Sequence, residues 1–325
     1  MRSDLIDVFI NSREFKQKHC GVHRLAGFRG SDLAILSRYV PATLETEEGF
    51  LTDWLGIKHC LADLPFLAKT LSGRSFAGVP VPDDGFHAEA IEYLALFAAL
   101  ETAGESFTMM ELGAGWAPWL CAGGVVAKRL GKKPIRLIGV EGEGNKLPLI
   151  RRHLNKNGLC PTVNFGLTTE SDGVAVTLYH GVVNDGTSVK IPVVGIEDYG
   201  ASLVSDSPFK GNDIEEVQGY HMAQLAENVS IFDLVHIDIQ GYEQELIKAQ
   251  VKVFVDKVKW LAIGTHSREI ESFLIDFLPE HGFRLFRETP CNFSFTQKPE
   301  HMVDATNVDG FQIWVNDVLV KDNPF

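Results

Sequence analysis

Glu111, Glu141, Asp238 and His266 each stand near the end of a short apolar run, the place where an open α/β sheet keeps its ligands. Glu111 begins the stretch Glu-Leu-Gly113-Ala-Gly115-Trp-Ala-Pro118, an acid two residues ahead of a Gly-x-Gly turn. Such a turn lets a ligand approach bare backbone, and a helix behind it offers unpaired N–H groups and partial positive charge. Two cofactor types exploit this arrangement. A dinucleotide needs Gly-x-Gly-x-x-Gly, and Pro118 holds the third position here. A carboxylate at Glu111 would repel a pyrophosphate and attract the cationic methionine end of S-adenosylmethionine. The expected cradle for that cofactor is Glu111, Gly113, Ala114, Gly115 and Trp116. A glycine turn with no ligand is the plain structural alternative.

Glu141 closes the run 134–141. An acid at the end of a second strand can accept two hydrogen bonds from a ribose diol, so Glu141 and the adjacent Gly142 are the ribose candidates for any nucleoside cofactor. The loop after a third strand commonly covers the base, which makes Gly166, Leu167 and Asp172 further contacts. Asp238 ends the buried-type run 232–237, and His266 ends the run 259–265, which places both in one row of strand ends as catalytic candidates. His236 shares a strand face with Asp238. It is either a third catalytic group or a hydrogen-bonded core histidine, since a polar residue inside an apolar strand must be satisfied. His87 and Glu89 open a helix that leads into the glycine turn, where they could face the cofactor or simply start a helix.

These residues need a scaffold of alternating strands and helices. Apolar runs at 107–112, 134–141, 162–167, 232–237 and 259–265 read as parallel strands, with helical patterns at 86–102, 119–130, 146–157, 243–251 and 267–281 between them. Runs at 283–287 and 311–316 supply a final antiparallel pair. The fold class is therefore α/β, a class I methyltransferase (Rossmann-like), mostly parallel sheet with an antiparallel C-terminal strand pair. Residues 1–85 read as a helical N-terminal extension or lid ending in the turn-rich linker 78–85, and 86–325 as the cofactor-binding domain. The Gly-, Ser-, Asp- and Pro-rich stretch 180–213 has the length of a functional loop or insertion.

Composition narrows the partners. The net charge is −13 with no basic block, which argues against a nucleic-acid groove. No apolar run suits stable membrane insertion or a signal peptide. The five scattered cysteines lack Cys-x-x-Cys spacing and read as reduced thiols in a cytoplasmic protein without a zinc site. A small-molecule or glycan acceptor is the expected partner, and a homo-oligomer stays open.

Asp238-Ile-Gln-Gly-Tyr-Glu243, His266 after the next strand, the glycine turn and Glu141 together resemble the FkbM family of S-adenosylmethionine-dependent methyltransferases over roughly residues 107–315. The family signature is Asp-x-Glu-Gly-x-Glu, followed by Glu-x-His at the fifth strand's end. Asp238, Gly241, Glu243 and His266 match, while Gln240 and Gly264 stand where the other two glutamates would be. With those carboxylates replaced, no divalent metal is expected, because a hard cation needs several oxygens. The resemblance implies O-methylation of a hydroxyl on a sugar, glycan or secondary-metabolite acceptor, with His266 or Asp238 as the base. Two rival readings remain: a nicotinamide-dependent oxidoreductase, which Pro118 and the terminal strand pair oppose, and a non-catalytic binding protein, which Gln240 and Gly264 favour.

Overall fold

A computed structural model describes residues 27–41, 43–65, 67, 69–75, 91–159, 166–193, 214–295, 299 and 301–321. The first described part holds helix α1 (Gly30–Leu36) and three short strands, β1 (Phe50–Thr52), β2 (Lys58–Cys60) and β3 (Arg74–Ser75). Helix α2 (Glu92–Thr102) leads into β4 (Phe107–Leu112), α3 (Pro118–Arg129), β5 (Ile135–Glu141), α4 (Leu147–Lys156) and the hairpin of β6 (Thr168–Ser171) and β7 (Val174–His180). Short strands β8 (Val182–Val183), β9 (Val189–Pro192), β10 (Ile214–Val217) and β11 (Gly219–Tyr220) follow, then the single turn α5 (Met222–Leu225). The chain continues with β12 (Phe232–Ile237), α6 (Glu243–Lys257), β13 (Val258–Thr265), α7 (Arg268–Glu280) and β14 (Phe283–Thr289). A small ribbon of β15 (Asn292–Phe293) and β16 (Thr306–Val308) precedes the last strand, β17 (Gly310–Asn316).

Eight strands join in one sheet in the order β14-β17-β13-β12-β4-β5-β7-β6. β13, β12, β4, β5 and β7 run parallel, while β17 is antiparallel to both β13 and β14. This is the class I methyltransferase arrangement. The first half of the chain builds outward from β4 in one direction and the second half in the other, so a switch point lies between β4 and β12 and opens a crevice at their carboxyl ends. Every residue of β12 and nearly every residue of β4, β5 and β13 is buried. Strands buried on both faces need helices on both faces, and two apolar clusters supply that cover.

Residues 107–112 and 232–237 form strands with the expected bounds. The third strand differs. It is β7, not 162–167, of which 162–165 lie outside the described residues. The alternating run 174–180 takes the parallel place beside β5 because its register lets Val174, Val176 and Leu178 bury.

The described part of the N-terminal extension contains strands as well as helix, and it packs on the main core. From Glu92 to Leu100 every residue of α2 is buried. A helix apolar all round needs cover on its outer side, and Phe28, Leu36, Tyr39 and Trp54 provide it. The Tyr39 and Phe97 rings stack at 4.0 Å, and Trp54 meets Tyr93 edge-on at 5.0 Å. A buried bidentate pair, Arg287 to Asp32 at 2.7 and 2.8 Å, ties the start of α1 to β14. The expected boundary at 78–85, along with His87 and Glu89, lies outside the described residues.

Candidate active site

β4 ends at Leu112, and the chain turns through Gly113 and Gly115 with φ of +77° and +58°. A Cβ on Gly113 would lie 1.8 Å from the Asp238 carbonyl oxygen, so the β4 and β12 turns meet at a distance only glycine permits. The Gly113 and Ala114 N–H groups both donate to the Val140 carbonyl. Trp116 follows, its carbonyl accepting from His153 Nδ1 at 2.9 Å.

Glu111 is turned towards the start of α3. Its carboxylate is buried and accepts the N–H groups of Trp119 and Leu120, at 3.3 and 2.8 Å. Both donors lie in the first turn of α3, whose N-cap residue Ala117 has no side chain to satisfy them. Burial pushes the Glu111 carboxyl up to about 8, against the pull of His236 and the two N–H donors. Glu111, expected to attract the cofactor's methionine end through its amino group or a water, also caps the α3 N-terminus. The same contact occupies donors that a pyrophosphate would need, a second argument beside Pro118 against a dinucleotide.

Glu141 ends β5 across from the turn. Its Oε2 accepts Gly115 N–H at 2.6 Å and its Oε1 accepts Glu143 N–H at 2.7 Å. A carboxylate oxygen has a second lone pair, so the acid that shapes the turn retains acceptor capacity for a ribose diol. Burial raises its pKa, and Lys146 opposes that rise. Gly142 is adjacent, its carbonyl accepting from His180 Nε2 at 3.0 Å. Gly166 lies at the outer edge, donating to the Leu178 carbonyl. Asp172 is not at the site. It occupies the β6–β7 turn at the amino end of β7, where Lys128 and Lys133 hold it, and those ion pairs lower its pKa. Reading 162–167 as the third strand put this turn at the wrong end of the sheet.

Asp238 and His266, one from each neighbouring parallel strand end, come together. His266 Nε2 lies 3.2 Å from Asp238 Oδ1, and its Nδ1 lies 2.9 Å from Glu243 Oε1. The turn N–H groups of Ile239 and Gly241 hold that same Glu243 oxygen, and Gln240 Nε2 donates to Asp238 Oδ1 at 3.0 Å. Burial alone would lower the pKa of His266, but Glu243 and Asp238 outweigh it and hold the imidazolium well above its usual range. Burial would likewise raise Asp238, and the His266 bond and charge bring it below the ordinary aspartate value. The result is an ionised Asp238, with 36% of its side chain exposed, backed by a buried cation.

His236 faces elsewhere. Its Nε2 pairs with Glu92 of α2 at 2.6 Å in the core, between the rings of Trp119 and Phe311 at 5.6 and 5.8 Å. It is the hydrogen-bonded core histidine of the two readings.

Among the described residues, Asp238, Glu243 and His266 form a group of metal-ligating types with one atom each within 4.8 Å. Two N–H donors hold one Glu243 oxygen, Oε1, while the other, Oε2, is buried and makes no hydrogen bond among the described residues. Asp309, just before β17, was missed by sequence reasoning; its Oδ2 lies 4.0 Å from His266 Nε2. The signal was the antiparallel pairing itself, because Gly310 opposes Thr265 and brings its neighbour beside 266.

Residues 120–285 match the family described as Methyltransferase FkbM domain. A protein of Jannaschia sp. (strain CCS1), which carries a provisional methyltransferase name, is 31% identical over 262 residues, covering 79% of this chain and 90% of the relative. Solved structures with a similar chain path include the N-terminal domain of human METTL16 in complex with SAH, at TM-score 0.38, 11% identity and coverage of 71% and 72%. Another is an O-methyltransferase from Bacillus cereus in complex with SAH, at TM-score 0.36, 10% identity and coverage of 69% and 81%. Likenesses this distant decide nothing about chemistry.

Proposed function

This chain belongs to the FkbM methyltransferase family, and from that premise we propose that it is an O-methyltransferase acting on a hydroxyl of a sugar, glycan or secondary-metabolite acceptor. Its cofactor is S-adenosylmethionine, which when bound supplies an electrophilic methyl group on a sulfonium. The residues present fit that cofactor: a turn with no Cβ at Gly113 or Gly115, Glu141 with acceptor capacity for the ribose, and first-turn N–H groups of α3 already taken by Glu111 and so not offered to a diphosphate.

The observation that carries the reading is Asp238, ionised and part-exposed beside the glycine turn. Its Oδ1 is held by His266 and Gln240, and the other oxygen takes the proton. Asp238 would accept the proton of the acceptor hydroxyl at that oxygen, leaving the hydroxyl oxygen as the nucleophile for the methyl group the cofactor would supply. An oxygen being alkylated becomes strongly acidic, so even a carboxylate of low pKa suffices, and positioning contributes most of the rate. His266 orients Asp238 and keeps it charged. A sugar-like acceptor is supported by Phe293 and Phe295, exposed rings stacked at 5.9 Å near the ribbon that Thr306 ties to the His266 carbonyl. A reducing, cytoplasmic setting suits the free thiols Cys60, Cys121 and Cys291. No helix among the described residues is long and apolar enough to cross a membrane.

Calorimetric titration with S-adenosylhomocysteine tests the cofactor site. Micromolar binding is expected, weakened about 10- to 100-fold in Glu141→Ala, the loss of charged hydrogen bonds worth about 1.4–2.8 kcal/mol. Binding untouched by that substitution would remove Glu141 from the ribose, and an absence of binding would overturn the reading.

A further inference from the structure

The crevice has two sides, and the cofactor takes one. The glycine turn follows β4 and Glu141 ends β5, while Asp238 follows β12, the next strand across the sheet. An in-line attack on the methyl group comes from the side away from the sulfur, so the acceptor belongs beyond Asp238, over the ends of β13 and β17. That side is occupied by Asp309 and the β15–β16 ribbon, which arises between β14 and β17.

The ribbon is seated on the two turns that carry the charge. Thr306 Oγ1 donates to the His266 carbonyl at 2.6 Å. Val303, in the helical turn before β16, packs so close to Gly241 that a Cβ there would lie 2.9 Å from its Cγ2. At the other foot, the Cys291 N–H donates to Glu271 Oε1 at 2.6 Å, the oxygen that also takes the Thr265 hydroxyl at 3.0 Å. On this fixed base Phe293 pairs with Thr306, and Phe293 and Phe295, two apart on one strand face, stack at 5.9 Å. They are the phenylalanines that stay exposed among the described residues.

Asp309 follows β16, its Oδ2 4.0 Å from His266 Nε2 and 57% of its side chain exposed. His266 thus serves three carboxylates, Asp238, Glu243 and Asp309. An anionic acceptor would be repelled there, and the neighbouring Arg268 is turned to Glu271 at 3.1 Å. A cationic acceptor is not called for, because the imidazolium already lies beside each acid. The part-exposed Asp238 and the exposed Asp309 retain lone pairs for neutral hydroxyl donors.

We propose that the β15–β16 ribbon is the acceptor arm of the crevice and that Asp309 selects an uncharged polyol. A pyranose ring lies with its apolar face on Phe293 and Phe295, and the hydroxyl beside the one being methylated donates to Asp309. Sugars bearing a phosphate or carboxylate are turned away by the same acids that hold the neutral ring. This selection rests on the O-methyltransferase reading above.

The test is saturation-transfer NMR on the full chain loaded with S-adenosylhomocysteine. The probes are the methyl glycosides of glucose, galactose, mannose and xylose, with glucose 6-phosphate and glucosamine as charged counterparts. Saturable millimolar binding of at least one neutral glycoside is expected, at least about tenfold tighter than glucose 6-phosphate and no weaker than glucosamine. Phe293→Ala with Phe295→Ala should abolish it. Asp309→Ala should weaken it about tenfold, and Asp309→Asn should narrow the discrimination against the phosphate by about the same factor. An unchanged Tm and S-adenosylhomocysteine affinity in these variants shows that the fold and the cofactor side are intact. A chain that binds S-adenosylhomocysteine but none of the neutral glycosides, or holds them equally well without the two rings and Asp309, overturns the inference and leaves the methyltransferase reading standing. Equal binding of glucose 6-phosphate, or tighter binding of glucosamine, overturns it as well. Failure to bind S-adenosylhomocysteine at all would overturn both.

Discussion

His266 with Asp238 and Glu243, and His236 with Glu92 and Glu111, are the same residue types, a histidine and two acids, set on neighbouring parts of one sheet. β12 connects them, carrying His236 near its end and Asp238 just beyond it. In the first group Asp238 opens to the crevice, and the half-exposed Asp309 lies nearby. In the second, α2 and the rings of Trp119 and Phe311 close over the histidine, and Glu111 is turned to the start of α3. Two residues along a strand thus separate a charge that can meet a substrate from one that holds the core together. What differs is access: the first set sits where two parallel strands end at a switch point, the second where a helix covers the sheet.

That contrast breaks if the core set proves catalytic or the crevice set dispensable. The largest effect is expected from Asp238→Asn, which keeps the side-chain shape and removes the base: turnover should fall about 10²- to 10⁴-fold, with S-adenosylhomocysteine affinity nearly unchanged. The double variant with His266→Asn should be inactive in the same assay; retained activity would move the proton transfer elsewhere. In the core set, Glu92→Ala leaves His236 without its carboxylate partner and should cost about 3–5 kcal/mol of stability. Turnover per folded molecule should stay within a few-fold of wild type, measured beside the urea midpoint. A stable Glu92→Ala protein that cannot turn over would place the core set in the chemistry.

The crevice was legible in the sequence because each of its features is local: a glycine pair after an apolar run, acids or a histidine at the ends of later runs. Glu141, Asp238 and His266 all fall at the carboxyl end of the sheet as their positions implied. What could not be read was set by partners distant in the chain. Glu111 and Glu141 have the same sequence setting, yet one meets helix donors nine residues on and the other meets Gly115 across strands. Glu92, 144 residues from His236, carries no mark of that pairing. Asp172 went astray through one misplaced strand, since an apolar run does not say which neighbour it joins in the sheet.

Protonation sharpens the contrast further. Asp238 and Glu243 hold the pKa of His266 well above its usual value, so its stabilising contribution is fully present below about pH 6.5 and is lost only as pH rises through the folded-state value. Turnover should therefore be flat through neutral pH and fall on the alkaline side. His266→Asn should show a lower, flat profile without that limb; an alkaline limb that persists in the variant would assign it to another group.

The smallest effect at fixed pH is expected from Glu111→Gln, because glutamine keeps an oxygen for the Leu120 N–H group, and near pH 6 stability should lie within about 1 kcal/mol of wild type. The pH dependence should differ more. A carboxyl held at about 8 when folded, against the ordinary glutamic acid value of 4.5, binds its proton more tightly in the native state. Its contribution is present below 4.5 and drains away as pH rises towards 8. Wild-type stability should decline across that window, and Glu111→Gln should decline less steeply, by up to about 1.4 kcal/mol per pH unit. His236, also raised by Glu92, acts in the same direction, so some slope should remain. Denaturant midpoints at several pH values read both curves. Parallel curves would mean that Glu111 is ionised in the folded protein, and the core set would then hold the same kind of charge as the crevice, differing from it in access alone.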